Sequence, residues 1–284
     1  AVSGYNVEFL RCHFEGNSAP KDFGGAISVD QGTDGMKLVV VNTSFVRNSA
    51  LSGGAISHDI LPADVNTVTI QGCTFVENQA SQSGGALKIR SNGIATVTES
   101  SFTHNGAEVS GGAIYLLAHS LDAAVTINST TFDGNSAGKS GGAFMCSESA
   151  SQGRVNLVLN SFDIRHSEVF GTGAAGFFDC SQLFLRDGLF EGNLAEGTGG
   201  ALTFTNIARC LGSAEPRFQD VRFVGNRALQ GGGVLFFDHL NPECHFWDAA
   251  ALNDIGSVSP WAWPSSSSAD AIRNNTAAYG VLQA

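Results

Sequence analysis

Basic side chains are scarce in this chain. Lys plus Arg number 15 against 26 Asp plus Glu in 284 residues, a formal net charge of −11. No basic stripe exists to neutralise phosphates, so nucleic acid and anionic membrane surfaces are expected to be poor partners. Proline is also rare, with 6 residues, so collagen-like and proline-rich disordered classes fall away. No apolar run reaches the roughly 18 residues of a membrane-spanning helix. The six cysteines include no C-x-x-C pair, so zinc-type ligand spacing is missing. Enzymes built on β-helices need clustered acids with a nearby base. Here there is no Asp-Asp pair, no Gly-His-Gly and no Arg-x-Lys. The expectation is a protein that is not an enzyme, with no catalytic, cofactor-binding or metal-binding residue.

What is abundant is glycine, 35 residues, and phenylalanine, 20. Both fall into a repeat. F-x-x-N-x-A occurs at Phe14-Asn17, Phe45-Asn48, Phe75-Asn78, Phe102-Asn105, Phe132-Asn135, Phe190-Asn193 and Phe223-Asn226. A degenerate copy is read at Phe162, followed by Arg165 and His166. Gly-Gly-Ala follows each Phe, as at Gly53-Gly54-Ala55 and Gly111-Gly112-Ala113, with weaker copies at Gly173-Ala174-Ala175 and Gly232-Gly233-Val234. Apolar residues sit five and seven positions before each Phe, for example Ile70 and Val68. Such period-two alternation marks a strand with one buried face.

A unit of about 30 residues with three short strands and three turns is one coil of a solenoid. The expected fold is all-β: a right-handed single-stranded parallel β-helix of about eight coils, one domain over residues 1–284, read as a segment of a longer chain. With coils roughly 4.8 Å apart, the rod is roughly 40 Å long. Each repeated residue then forms a column. Phe14, Phe45, Phe75, Phe102, Phe132, Phe162, Phe190 and Phe223 are expected in one buried stack. Asn17, Asn48, Asn78, Asn105, Asn135, Asn193 and Asn226 are expected to form an amide ladder at a turn, where Asn tolerates left-handed geometry. The Gly pair is expected to supply positive φ at a corner.

The alternation of F-x-x-N with G-G-A-[ILV] resembles the repeats of the chlamydial polymorphic outer membrane proteins, over about residues 5–240. Similar repeats occur in surface proteins of algae and other microbes, and Asn275-Thr276-Ala277-Ala278-Tyr279-Gly280 looks like the end of such arrays. The resemblance implies a right-handed β-helix, an extracellular or cell-surface location, and adhesion and self-association as the work of the repeats.

Two segments break the period: residues 206–214 and a larger insertion or cap at about 239–271. Cys210 and Cys244 fall in equivalent loops of neighbouring coils and are expected to form a disulfide. Cys12, Cys73 and Cys146 read as buried small apolar residues. Asn42, Asn128 and Asn274 begin glycosylation sequons, the first two in turns with room for a glycan. Asp30 and Asp59 recur in one column. Arg90 is expected to pair with Asp59, rather than a cation to bridge the two acids. His58 points inward and is expected to be a hydrogen-bonded core residue. Asp238-His239 with Glu243-Cys244-His245 is the densest polar cluster and reads as a solvated loop.

The outward position of the third strand reads Ser28, Ser57, Lys88, Tyr115, Met145, Phe177, Thr203 and Phe236. Its apolar half, Tyr115, Met145, Phe177 and Phe236, is a contact-surface candidate on an acidic rod. The expected function is an extracellular structural scaffold or adhesin-like protein working by lateral protein–protein association. Its partners would be other chains or further domains of the same chain. The alternative is a polysaccharide-binding or polysaccharide-modifying β-helix, with glycans as partners.

Overall fold

The computed structural model describes residues 6–30, 36–59, 66–90, 93–118, 123–148, 155–179, 182–205 and 217–237, with short pieces at 272–273, 276–277 and 282–283. Each of the eight stretches is one coil. The short pieces extend the stack, since Ile272, Ala277 and Leu282 pair with Phe223, Ala228 and Leu235. Among the described residues there are strands and no helix, and all named pairings are parallel. The loop at 239–271 and the cysteines Cys210 and Cys244 lie outside the described residues.

The coil has three faces, but they divide differently from the expected three strands. The apolar-alternating strand and the Phe strand share one 13-stranded sheet. A further short strand after the Asn, such as Ser49–Ser52, makes its own nine-stranded sheet, and the strand after Gly-Gly-Ala makes another. The reason is the corner between the first two strands. It is a single left-handed residue three positions before the Phe: Arg11, Asn42, Gly72, Glu99, Ser129, Ser161, Asp187 and Asp220, at φ 49–62°. One such residue bends a strand without ending its ladder. From Ala123–Asp133 onward the two strands run as one.

The aromatic column forms with one replacement, and its first member, Phe14, is half-buried where a buried ring was expected. Phe14, Phe45, Phe75, Phe102 and Phe132 stack at centroid separations of 5.1, 4.9, 4.6 and 4.9 Å with ring planes within 7°. The next member is Ile164, which pairs with Phe132 and Phe190, and not Phe162. Phe162 lies opposite Thr130 and Gly188. It is buried all the same, edge-on to Phe190 at 5.2 Å. A Cβ on Gly188 would sit 2.1 Å from the Phe162 ring, so the missing side chain makes room for it. The true degenerate motif is therefore Ile164-x-x-Ser167-x-Val169, and Ser161 supplies its corner three residues ahead.

The asparagines form the ladder, but not in left-handed geometry. The left-handed residue is the one before, as at Arg47, Glu77 and His104. Asn48, Asn78, Asn105, Asn135, Asn193 and Asn226 are wholly buried, whereas Asn17 in the first coil is exposed. Each interior amide bonds in two directions. Asn78 Nδ2 donates to the Phe45 carbonyl and to Asn105 Oδ1, both at 3.0 Å. Its own Oδ1 accepts from the backbone N–H and amide of Asn48. These buried amides are tolerated because they are hydrogen-bonded.

At Ser167 the ladder lacks an amide. Asn135 still donates to the Phe102 carbonyl, and Ser167 N–H still donates to Asn193 Oδ1 at 2.9 Å, but serine is too short to join the two. Ser167→Asn is expected to complete the ladder and raise stability by about 1–2 kcal/mol. A higher urea midpoint with unchanged slope is the result that checks it.

The glycine pair works by two different mechanisms. The first Gly has positive φ in every coil, from Gly24 to Gly232. The second does not. A Cβ on Gly85 would lie 2.0 Å from the Gly112 carbonyl oxygen. This residue is glycine because the next coil's backbone passes where a side chain would be.

Candidate interaction surface

The third sheet carries the outward column in the expected register: Ser28, Ser57, Lys88, Tyr115, Met145, Phe177, Thr203 and Phe236 pair successively. Tyr115, Met145, Phe177 and Phe236 are half-buried, Ser57 and Thr203 are buried, and Ser28 is exposed. An outward column becomes this dry because the glycine corner folds back along the sheet. A Cβ on Gly111 would meet Met145 Cβ at 3.2 Å, and one on Gly232 would meet Phe236 Cβ at 3.0 Å. The Tyr115 hydroxyl is held by burial above its ordinary pKa, with Arg90 and a hydrogen bond to Ser147 opposing the shift.

The polar end of the column is an ion cluster. Asp59 is 3% exposed. It meets Arg90, as expected, and also Lys88 Nζ at 2.9 Å. Lys88 Nζ in turn lies 4.0 Å from the centroid of the Phe23 ring. Lys88 was not expected in this pairing. It stands two residues before Arg90, the residue opposite Asp59, so the contact is diagonal and column reading does not show it. Such a buried pair fixes geometry more than it adds stability. The Asp30 backbone pairs with Asp59, while its side chain lies outside those described, as does the Asp238–His245 cluster.

A second ladder escaped sequence reading. Two positions before the Phe stand Cys12, Thr43, Cys73, Ser100 and Thr130. Thr43, Ser100 and Thr130 each donate a hydroxyl to the carbonyl two residues earlier, at 2.8–2.9 Å. Cys12 and Cys73 make longer thiol contacts of the same kind. The backbone N–H of Cys12 donates to Thr43 Oγ1, and that of Cys73 to Ser100 Oγ. The thiols are thus weak members of a hydroxyl ladder and not simply small apolar fillers. Burial holds the Cys73 thiol above its usual pKa. Cys12 and Cys73 are free, whereas the wholly buried Cys146 is disulfide-bonded, against its reading as a plain thiol.

His58 points inward as expected, but it is not hydrogen-bonded. It is wholly buried and neither ring nitrogen has a partner. Of the sequons, Asn42 is exposed at its left-handed corner. Asn128 is half-buried within the strand Ala123–Asp133, where its Oδ1 accepts from Asn160 at 3.1 Å. That strand leaves less room for a glycan than the expected turn. Asn274 lies outside the described residues.

Parallel coils set by Phe, Asn and Gly-Gly-Ala columns define a β-solenoid repeat protein. The model of the Chlamydia polymorphic membrane protein repeat matches residues 99–116 and 129–147. These stretches contain the Phe102 and Phe132 motifs with their glycine pairs. The chain is also similar to the probable outer membrane protein pmp21 of Chlamydia pneumoniae, 28% identical over 281 residues. That match covers 87% of this chain and 15% of the relative, so the chain spans a small part of that protein's length. No solved structure matches. The repeats of this chain are thus similar to the Chlamydia polymorphic membrane protein repeat.

Proposed function

We propose that this segment is a cell-surface scaffold, adhesin-like in character, that associates side to side with another solenoid through the outer face of its third sheet. The observation that carries this reading is the unbroken register Tyr115–Met145–Phe177, continued at Phe236, half-exposed on a chain of net charge −11. A second solenoid fits because its side chains recur at the same roughly 4.8 Å interval. Surface location is supported by the relative named as an outer membrane protein.

Replacing Tyr115, Met145 and Phe177 together with Ser is expected to weaken association at least about tenfold, since each large apolar side chain contributes about 1.5–3 kcal/mol when fully buried. Sedimentation velocity reads the association and far-UV circular dichroism the fold. The wild type should associate more strongly as salt rises, because like charges on the two rods are screened. Undiminished association by a folded triple variant would remove the strip from the function.

A further inference from the structure

The second coil has an ionisable group where the stack has apolar side chains. His58 stands between Val29 and Ile89 in the inward column of the third sheet. All three are buried, and the imidazole is 0% exposed with both nitrogens unpartnered. A neutral ring is tolerated there at the cost of its lost hydrogen bonds. A charged ring would have no counter-ion and no water. Asp59, its neighbour in sequence, is already engaged with Lys88 and Arg90 of the following coil. Among the described residues, the other titratable side chains in the inward columns of the first three coils are the thiols Cys12 and Cys73. Asp30 pairs by its backbone with Asp59, one strand position further on.

We propose that His58 makes the stacking of the first three coils acid-sensitive, keeping them closed at neutral pH and letting them open under mildly acidic conditions. The inference is independent of the proposed contact surface. Desolvation lowers the His58 pKa from 6.5 to about 4, with Asp59 opposing the shift. Once the coil opens, the ring takes up a proton at its ordinary value. Between pH 4 and 6.5 the open state therefore binds more protons than the closed one. Stability rises with pH through this window, is complete above it and is lost as pH falls through it. Solenoid stability is a sum of coil and interface terms, so a local penalty opens local coils first.

Hydrogen exchange on the intact chain, normalised to intrinsic rates, tests this. The opening constant for Lys37–Val41 and Ile56–Asp59 is expected to rise about 20-fold between pH 7 and pH 5. That for Val155–Arg165, four coils away and free of a buried histidine, should change little. His58→Val, which copies Val29, should abolish the rise. Titration of the His58 ring by NMR gives a second reading that needs no variant. An unchanged 20-fold rise in H58V would overturn the proposal, as would transfer of the response to Asp59→Asn or a folded-state midpoint near 6.5.

Discussion

Asn105→Ala is expected to lower the stability of the solenoid by about 3–5 kcal/mol, the largest effect of any polar substitution in the chain. The side chain is wholly buried and makes bonds in both directions. Its Nδ2 donates to the Phe75 carbonyl and to Asn135 Oδ1, each at 3.0 Å. Its Oδ1 accepts from the backbone N–H and the amide of Asn78, again at 3.0 Å. Alanine removes all four bonds at once. The groups left behind are in the two flanking coils and have no water to turn to. Each buried group without its partner costs about 1–3 kcal/mol, partly relieved by relaxation. Urea unfolding followed by circular dichroism measures the loss. A change under about 1 kcal/mol would mean that the ladder is an ornament of the turn.

Gly112→Ala is expected to be comparably severe, at about 3 kcal/mol or more, for a steric reason. A Cβ at this position would lie 2.0 Å from the Gly142 carbonyl oxygen and 2.3 Å from that of Ser136. Both atoms are backbone of the next coil, so no rotamer change relieves the contact. The coils must separate, which strains the bond from Gly112 N–H to the Gly141 carbonyl, now 3.1 Å. Gly16→Ala is the control. Unlike Gly112 it stands at positive φ, 66°, and a Cβ there meets nothing within 4 Å. Its cost should stay near 1 kcal/mol. Equal thermal shifts in the two variants would show that the inter-coil contact at Gly112 costs no more than an alanine at positive φ. The protein already holds one exception, Ala174 in the second-Gly position. There the bonds to the following coil keep ordinary lengths, 3.1 Å from Ala174 N–H to the Gly199 carbonyl and 2.9 Å from Ala175 N–H to the Ala201 carbonyl.

The solenoid is legible in the sequence because a stack repeats every constraint. A Phe that must lie over another Phe returns in each coil, and seven copies outvote one exception. The exception shows the limit. Phe162 and Ile164 are two residues apart on the same inward face, and both are buried. Residue type alone favours the aromatic, whereas the left-handed Ser161 fixes the column on Ile164. The hydroxyl ladder was missed because its members differ in type. Cys, Thr, Ser and Thr share only a short polar side chain that reaches the carbonyl two residues back.

The outer face was legible in part. Strand alternation predicts that Tyr115, Met145, Phe177 and Phe236 point away from the core, and they do. It does not predict that the glycine corner leans over them, because that depends on how the chain re-enters the sheet. Nor does alternation anticipate Lys88 beside Asp59, a diagonal contact across two coils. Buried histidine partners are equally invisible. The column places His58 inward, but only the surrounding backbone decides whether a carbonyl comes within reach.

Which face meets a partner is tested most directly by cysteine cross-linking. Phe177→Cys places a thiol on the outer strip of the third sheet. Thr96→Cys places one on an outward position of the 13-stranded sheet, away from the strip. Under mild oxidation, with Cys12 and Cys73 present in both variants as a common background, Phe177→Cys chains should be trapped as dimers and Thr96→Cys chains should remain monomeric. Equal trapping at both positions, or faster trapping at Thr96, would contradict association through the Tyr115–Met145–Phe177 face.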